Sequence, residues 1–289
     1  KGEKTPDERF PGADETYTIE AMMQDGKALQ AGTSHFLGQN FSKAQNICFQ
    51  DESGKMVHGW TTSWGVSTRL VGGLIMVHSD DNGLVLPPKL APKQIVIIPI
   101  YKNNEDRTKV LEYVTKLKKD LESKTYDNEH IRVMIDDRDI RGGEKNWYHI
   151  KRGVPLKIEI GPRDVKSNSV FLARRDQDAK DKASMSRDEF VSQAPSLLSE
   201  IHSNLYNKAL TFRKKNTHFE SDLDSFKSFF KKGSGFIKAY WSEKAIDHPL
   251  LNDLKVTPRC LLLEEKKEKG KCLLTGEETD KMVIYSKSY

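Results

Sequence analysis

The sequence predicts mixed α+β and α/β structure in three successive parts: an antiparallel first part, an α/β middle with a mixed sheet, and a small α/β end. Three observations predict it. Residues 1–89 are rich in Gly, Thr, Ser and amides, with short alternating runs between turn signals. Residues 94–176 set continuous apolar runs between stretches of helical period. From 185 onward a helical period gives way to short strands around a charge run. The stiff segment Leu86-Pro87-Pro88-Lys89-Leu90-Ala91-Pro92 marks the first boundary, giving expected domains at 1–89, 90–184 and 185–289.

In order along the chain, 1–13 reads as a loop carrying Phe10 and Pro11. Residues 17–23 alternate as a strand, and Gln24-Asp25-Gly26-Lys27 is a hairpin turn leading to a partner at 27–32. A second pair at 46–50 and 56–63 is joined across Asp51-Glu52-Ser53-Gly54. In 67–79, Leu70, Val71, Leu74, Ile75 and Val77 fall at helical spacing, with Gly72 and Gly73 allowing close approach. The run 94–100 is a buried strand, and 104–124 places Val110, Leu111, Val114, Leu117 and Leu121 on one helical face. Strands follow at 131–135, 156–160 and 169–173, with a short helix at 145–151. Such alternation over about 80 residues means an α/β domain with a mixed sheet. From 185 the apolar period is helical, and strands at 235–241, 259–263 and 282–285 flank the charge run 264–271, read as a solvated loop.

Composition removes several classes of function. The chain has 289 residues, 31% charged and 36% hydrophobic, with a net charge of +5 that suits nucleic acid without demanding it. No apolar run approaches the roughly 20 residues of a membrane helix. The start, Lys1-Gly2-Glu3-Lys4, has no apolar signal core and reads as a cut inside a longer protein. Cys48, Cys260 and Cys272 are odd in number and widely spaced, which suits a reducing compartment and gives a cytoplasmic expectation. There is no GxxxxGK[ST], no GxGxxG after a strand, no HExxH and no paired CxxC. Cys48, set in an apolar strand pattern, reads as core rather than as a nucleophile paired with histidine.

Three segments carry candidate chemistry. In Gln30-Ala31-Gly32-Thr33-Ser34-His35-Phe36-Leu37-Gly38-Gln39-Asn40-Phe41, amide, hydroxyl and imidazole groups sit beside glycines that let a ligand approach. A polar turn with a surface histidine explains the same residues. In Ser63-Trp64-Gly65-Val66-Ser67-Thr68-Arg69, the guanidinium suits a phosphate, or a structural ion pair. Gly161-Pro162-Arg163-Asp164 puts opposite charges at a strand end, where α/β domains bind ligands.

Taken together, the order of these segments resembles prolyl-tRNA synthetase of the archaeal/eukaryotic-like architecture. The resemblance rests on Thr18-Ile19-Glu20-Ala21, Gln30 to His35, Leu37 to Phe41, Ser63-Trp64-Gly65, Thr68-Arg69, Met76-Val77-His78 and Gly83 to Pro88. Gly153-Val154-Pro155, Glu159, Gly161 to Asp164, Arg174-Arg175-Asp176 and the terminal Ser288-Tyr289 continue it. It implies a class II antiparallel catalytic sheet, an α/β anticodon-binding domain and a C-terminal domain. It implies ATP-dependent joining of L-proline to proline tRNA through prolyl-adenylate, with Mg²⁺, and a homodimer in the full-length enzyme.

Carried over by position, Gln30 and Thr33 would hold the adenosine of ATP, and Arg69 would be the catalytic motif 3 arginine on the triphosphate. Phe10 and His35 would line the proline pocket, with Trp64 and Gly65 in its wall. Such a small apolar pocket discriminates only modestly against alanine or cysteine. Glu159 and Arg163 would face the anticodon, with Lys145 and Lys151 on the same surface. The chain starts after the family's motifs 1 and 2, so these residues alone are expected to be inactive in adenylation. The alternative is a non-catalytic, synthetase-like tRNA-binding module. No structural zinc is expected. Only Cys272 falls on a family ligand position, while Trp241, Ala245 and Leu273-Leu274 stand near the others.

Overall fold

The turn at Gly26 forms as its residues dictate: Gly26 has φ +80°, and its N–H donates to the Met23 carbonyl at 2.9 Å. It joins the strands Glu15–Met22 and Ala28–Gly38 in the computed structural model, which describes residues 1–178, 180–263 and 268–289. Contacts divide the chain into two units, one of Lys1–Val77 with Phe212–Tyr289, the other His78–Thr211.

The first unit is built on one eight-stranded sheet. Its order is Thr217–Phe219, Phe236–Tyr240, Met282–Ser286, Thr257–Leu262, Gly2–Glu3, Glu15–Met22, Ala28–Gly38 and Thr61–Gly65. The outer thirds of the sequence therefore share a sheet, joined where Gly2 pairs with Leu262. At the edge lies the helix Arg69–His78, and a Cβ on Gly73 would come within 2.8 Å of Leu29 Cδ2. That absent methyl group lets the helix lie close to the sheet. At the other end Phe226, Phe230, Ile237, Trp241, Val283 and Tyr285 form a buried cluster with the helix Leu223–Lys232. In mid-sheet Lys4 Nζ lies 3.0 Å from Glu20 Oε1, and Arg259 Nε lies 3.2 Å from Glu20 Oε2, all three side chains being buried.

The second unit is a five-stranded mixed sheet, in the order Val133–Ile135, Ile95–Pro99, Leu156–Ile160, Ser169–Arg174 and Lys182–Ser186. The first three strands run parallel, and Ser169–Arg174 runs antiparallel to both of its neighbours, Leu156–Ile160 and Lys182–Ser186. One face is covered by the helices Asn104–Glu122 and Arg187–Lys215 through Val110, Val114, Leu117, Phe190, Ala194 and Leu198. The Asn103 side chain caps the former, accepting from the Asp106 N–H at 2.8 Å. On the other face the helix Gly142–Lys151 packs on Ile95–Pro99. His149 Nε2, 2.7 Å from Asp136 Oδ2, pins it there.

Two elements differ from the sequence expectation. The segment 30–38 is a strand inside the sheet, not a turn, because its polar side chains meet polar neighbours on both flanking strands. The expected strand 56–63 is split into Met56–His58 and Thr61–Gly65. Of the charge run 264–271, residues 264–267 lie outside the described residues, and Gly270–Lys271 pairs with Glu278–Thr279. No helix among the described residues is long and apolar enough to cross a membrane.

Candidate functional site

Strand pairing determines which polar groups of 30–35 meet. Thr18 pairs with Thr33 and Glu20 with Gln30, leaving an extra residue in Ala28–Gly38 where the register shifts. Residues three apart on a regular strand point to opposite faces. This bulge restores Gln30 and Thr33 to the same one, the face of Thr18 and Glu20. There they line a cleft of about 230 Å³ with Gly65, Ser67 and Arg69. Gly65 stands opposite Thr33, and a Cβ on it would lie 3.7 Å from Thr33 Oγ1. Arg69 opens its helix, its N–H donating to Ser67 Oγ at 3.3 Å. No carboxylate lines the cleft, and among the described residues the Arg69 guanidinium has no ion-pair partner. An amide, a hydroxyl and a guanidinium thus line one cleft.

Phe10 and His35 also meet, with ring centroids 4.8 Å apart, and Phe41 lies 6.3 Å from Phe10. Thr16 Oγ1 accepts from the Phe10 N–H at 3.2 Å and lies 3.0 Å from His35 Nδ1. Burial lowers the His35 pKa. Thr16 and Thr33 place His35 on the same face as the cleft.

Trp64 does not join them. It pairs with Ser34, whose side chain alternates with that of His35, so the indole stands on the opposite sheet face, 80% exposed. Its expected place in one wall with His35 is corrected by this alternation. Cys48 likewise is not core: it is partly exposed, with Sγ 3.3 Å from His58 Nδ1 across the hairpin.

In the second unit Glu159 and Arg163 lie together at the end of Leu156–Ile160, Glu159 on the strand and Arg163 in the exposed turn of Pro162–Ser167. Asp164 Oδ2 fixes that turn by accepting the Gly161 N–H at 2.8 Å. Neither lysine shares this surface as expected. Lys145 is only 4% exposed, because its helical face turns into the fold. Lys151 ends its helix at the opposite end of the sheet, where its carbonyl accepts the Leu84 N–H at 3.0 Å. Sequence reasoning missed Phe171, directly opposite Glu159, and Lys182, 3.6 Å from the Glu159 carboxylate and 5.3 Å from the Phe171 ring. The strand Lys182–Ser186 carries no apolar alternation that would have signalled it.

In the tail, Trp241, Ala245, Cys272 and Leu273 belong to one buried apolar cluster, with Leu274 packed against it. Four of these five side chains have no metal-ligating atom. Among the described residues no three His, Cys, Asp or Glu side chains are grouped to hold a metal.

Residues 94–197 match the family described as "Anticodon binding domain", and 223–289 match "Prolyl-tRNA synthetase, C-terminal". The whole chain is 54% identical to the proline–tRNA ligase of Bdellovibrio bacteriovorus, covering 59% of that protein. It is 51% identical to that of Rhodopirellula baltica and 47% identical to that of Protochlamydia amoebophila, covering 58% and 59% of them. The chain thus spans under two thirds of the length of these relatives.

Proposed function

The chain belongs to the prolyl-tRNA synthetase family, and on that premise we propose that it takes part in the ATP-dependent attachment of L-proline to proline tRNA through prolyl-adenylate. The observation that carries this reading is the single cleft shared by Gln30, Thr33 and Arg69. Glu15–Met22, Ala28–Gly38 and Thr61–Gly65, all antiparallel, are read as part of a class II catalytic sheet.

In that cleft Gln30 and Thr33 offer an amide and a hydroxyl to adenosine, and Arg69 brings an uncompensated positive charge to the phosphates. Attack of the proline carboxylate on the α-phosphorus, with pyrophosphate leaving, needs in-line positioning and neutralised charge rather than covalent help. Arg69 supplies the charge. Phe10 and His35, whose rings lie 4.8 Å apart, offer a flat apolar contact and an imidazole for proline. Mg²⁺ finds no carboxylate in this cleft, so no step is assigned to it.

The division 1–89, 90–184 and 185–289 is carried as catalytic, anticodon-binding and C-terminal segments of a cytoplasmic, homodimeric enzyme. Glu159 and Arg163 are assigned to the anticodon, where guanine edges suit a carboxylate and a guanidinium. The anticodon-binding match at 94–197 also favours a second reading, a tRNA-binding module without catalysis.

Pyrophosphate exchange in the full-length protein tests the first reading: exchange is expected with proline, and exchange with another amino acid alone rejects the substrate. The second reading predicts anticodon-dependent tRNA affinity with no affinity for ATP or proline.

A further inference from the structure

The sheet face of the second unit that bears Glu159 continues past it. Lys157 and Glu159 stand opposite Ala173 and Phe171, and beyond Lys157 the surface sinks into a pocket of about 280 Å³. Trp147, Val154, Lys157, Ala173, Arg175 and Asp178 are among the residues lining it.

Its groups divide into those already engaged and those free to bind. Arg175 is held by Asp80 through two hydrogen bonds of 2.6 and 2.5 Å. Asp178 Oδ1 accepts the Lys180 N–H at 2.9 Å. Lys157 is half-buried and, among the described residues, has no hydrogen-bond or ion-pair partner. Burial, with Lys182 and Arg175 nearby, lowers its pKa, while Glu159 opposes this. An anion in the pocket would relieve that cost. Trp147 is 45% exposed, with Lys151 Nζ 5.5 Å from its ring. An exposed indole beside a partly desolvated ammonium is the pairing with which proteins hold an unstacked nucleotide, ring on ring and cation on phosphate.

Lys157 and Glu159 are two residues apart on one strand, about 6.8 Å. A strand leaving Glu159 therefore reaches the pocket within one unstacked nucleotide. We propose that this pocket receives the tRNA nucleotide adjacent to the base read by Glu159, with Trp147 against its base and Lys157 against its phosphate. The proposal rests on the anticodon reading above.

The test titrates the chain with a proline tRNA transcript and with one of altered anticodon, at several salt concentrations. Lys157→Ala weakens both transcripts about fivefold to tenfold and reduces the salt slope by about one, and Lys157→Arg restores both. Trp147→Ala weakens both about tenfold, and Trp147→Phe much less. On a transcript lacking the bases that flank the anticodon, the Trp147→Ala loss disappears. The ratio between the two transcripts stays that of wild type, whereas Glu159→Gln collapses it.

Both alanine variants binding within twofold of wild type, with unchanged melting temperatures, would overturn the proposal. So would a Trp147→Ala loss that persists without the flanking bases. If wild type ignores the anticodon while both alanine variants still bind more weakly, the anticodon reading fails and the pocket stands. If wild type binds neither transcript, both fail.

Discussion

Glu20 lies between two cations, Lys4 and Arg259, and also accepts from Thr18 Oγ1 at 2.9 Å. With all three ions withdrawn from water, removing the carboxylate leaves Arg259 buried with no other counter-charge among the described residues, and Lys4 with only Glu8, 3.9 Å away. Glu20→Ala is therefore expected to destabilise the first unit by about 3–5 kcal/mol in denaturant unfolding, with Glu20→Gln costing less. Arg69 is the opposite case, exposed and, among the described residues, without an ion-pair partner, so its removal costs little stability. On the proposed function, Arg69→Ala weakens ATP binding by about tenfold to a hundredfold in calorimetry and leaves the melting temperature unchanged. Gln30, Thr33 and Arg69 were legible in the sequence as polar groups without an apolar pattern, which a polar turn or an ion pair explains as well, and their common role came only from the resemblance. The place of Trp64 was not, since it depends on which residue of the next strand it faces, and register is a tertiary property.

At the scale of elements, the helices showed first. Val110, Leu111, Val114, Leu117 and Leu121 fall at the helical period, and all prove buried except Leu111, which is half-buried against the same core. Lys182–Ser186 did not show, because a strand at the sheet edge with mostly exposed residues needs no apolar alternation. The helix Gly142–Lys151 is anchored by His149 on Asp136, and Arg138 Nη2 lies 2.7 Å from the same carboxylate. The hydrogen bond from Arg138, aided by His149 and opposed by burial, holds Asp136 well below the usual carboxylate range. Burial lowers His149, although the Asp136 charge opposes it. Both folded pKa values lie below the unfolded ones, so both contributions are complete above the unfolded values and fade as pH falls. The second unit is expected to lose stability from about pH 6.5 as His149 must be protonated, and more steeply below about pH 4 as Asp136 is. Urea unfolding at stepped pH checks this. Asp136→Asn, which removes the charge and leaves a single acceptor oxygen for Arg138 and His149, costs about 2 kcal/mol and flattens the acid limb.

Across the whole molecule, the division into segments read from composition and the division by contacts answer different questions. The linker at 86–92 separates two grammars of sequence. The contacts instead join the two ends of the chain in one sheet, through the pairing of Gly2–Glu3 with Thr257–Leu262. Pairing between residues some 260 positions apart leaves no periodic trace. The tail shows the same logic in packing. Trp241 is fully buried among Phe226, Val283 and Tyr285. Trp241→Ala is expected to cost about 3–5 kcal/mol in denaturant unfolding through the cavity it leaves. Addition of a chelator is expected to leave stability unchanged. On the proposed function, one face of the antiparallel sheet holds ATP between Gln30, Thr33 and Arg69. Amide hydrogen exchange with and without saturating ATP tests it most directly. ATP is predicted to slow exchange in Ala28–Gly38 and at the start of Arg69–His78, and to lose that effect in Arg69→Ala. Protection confined to other segments, or identical in wild type and Arg69→Ala, would contradict it.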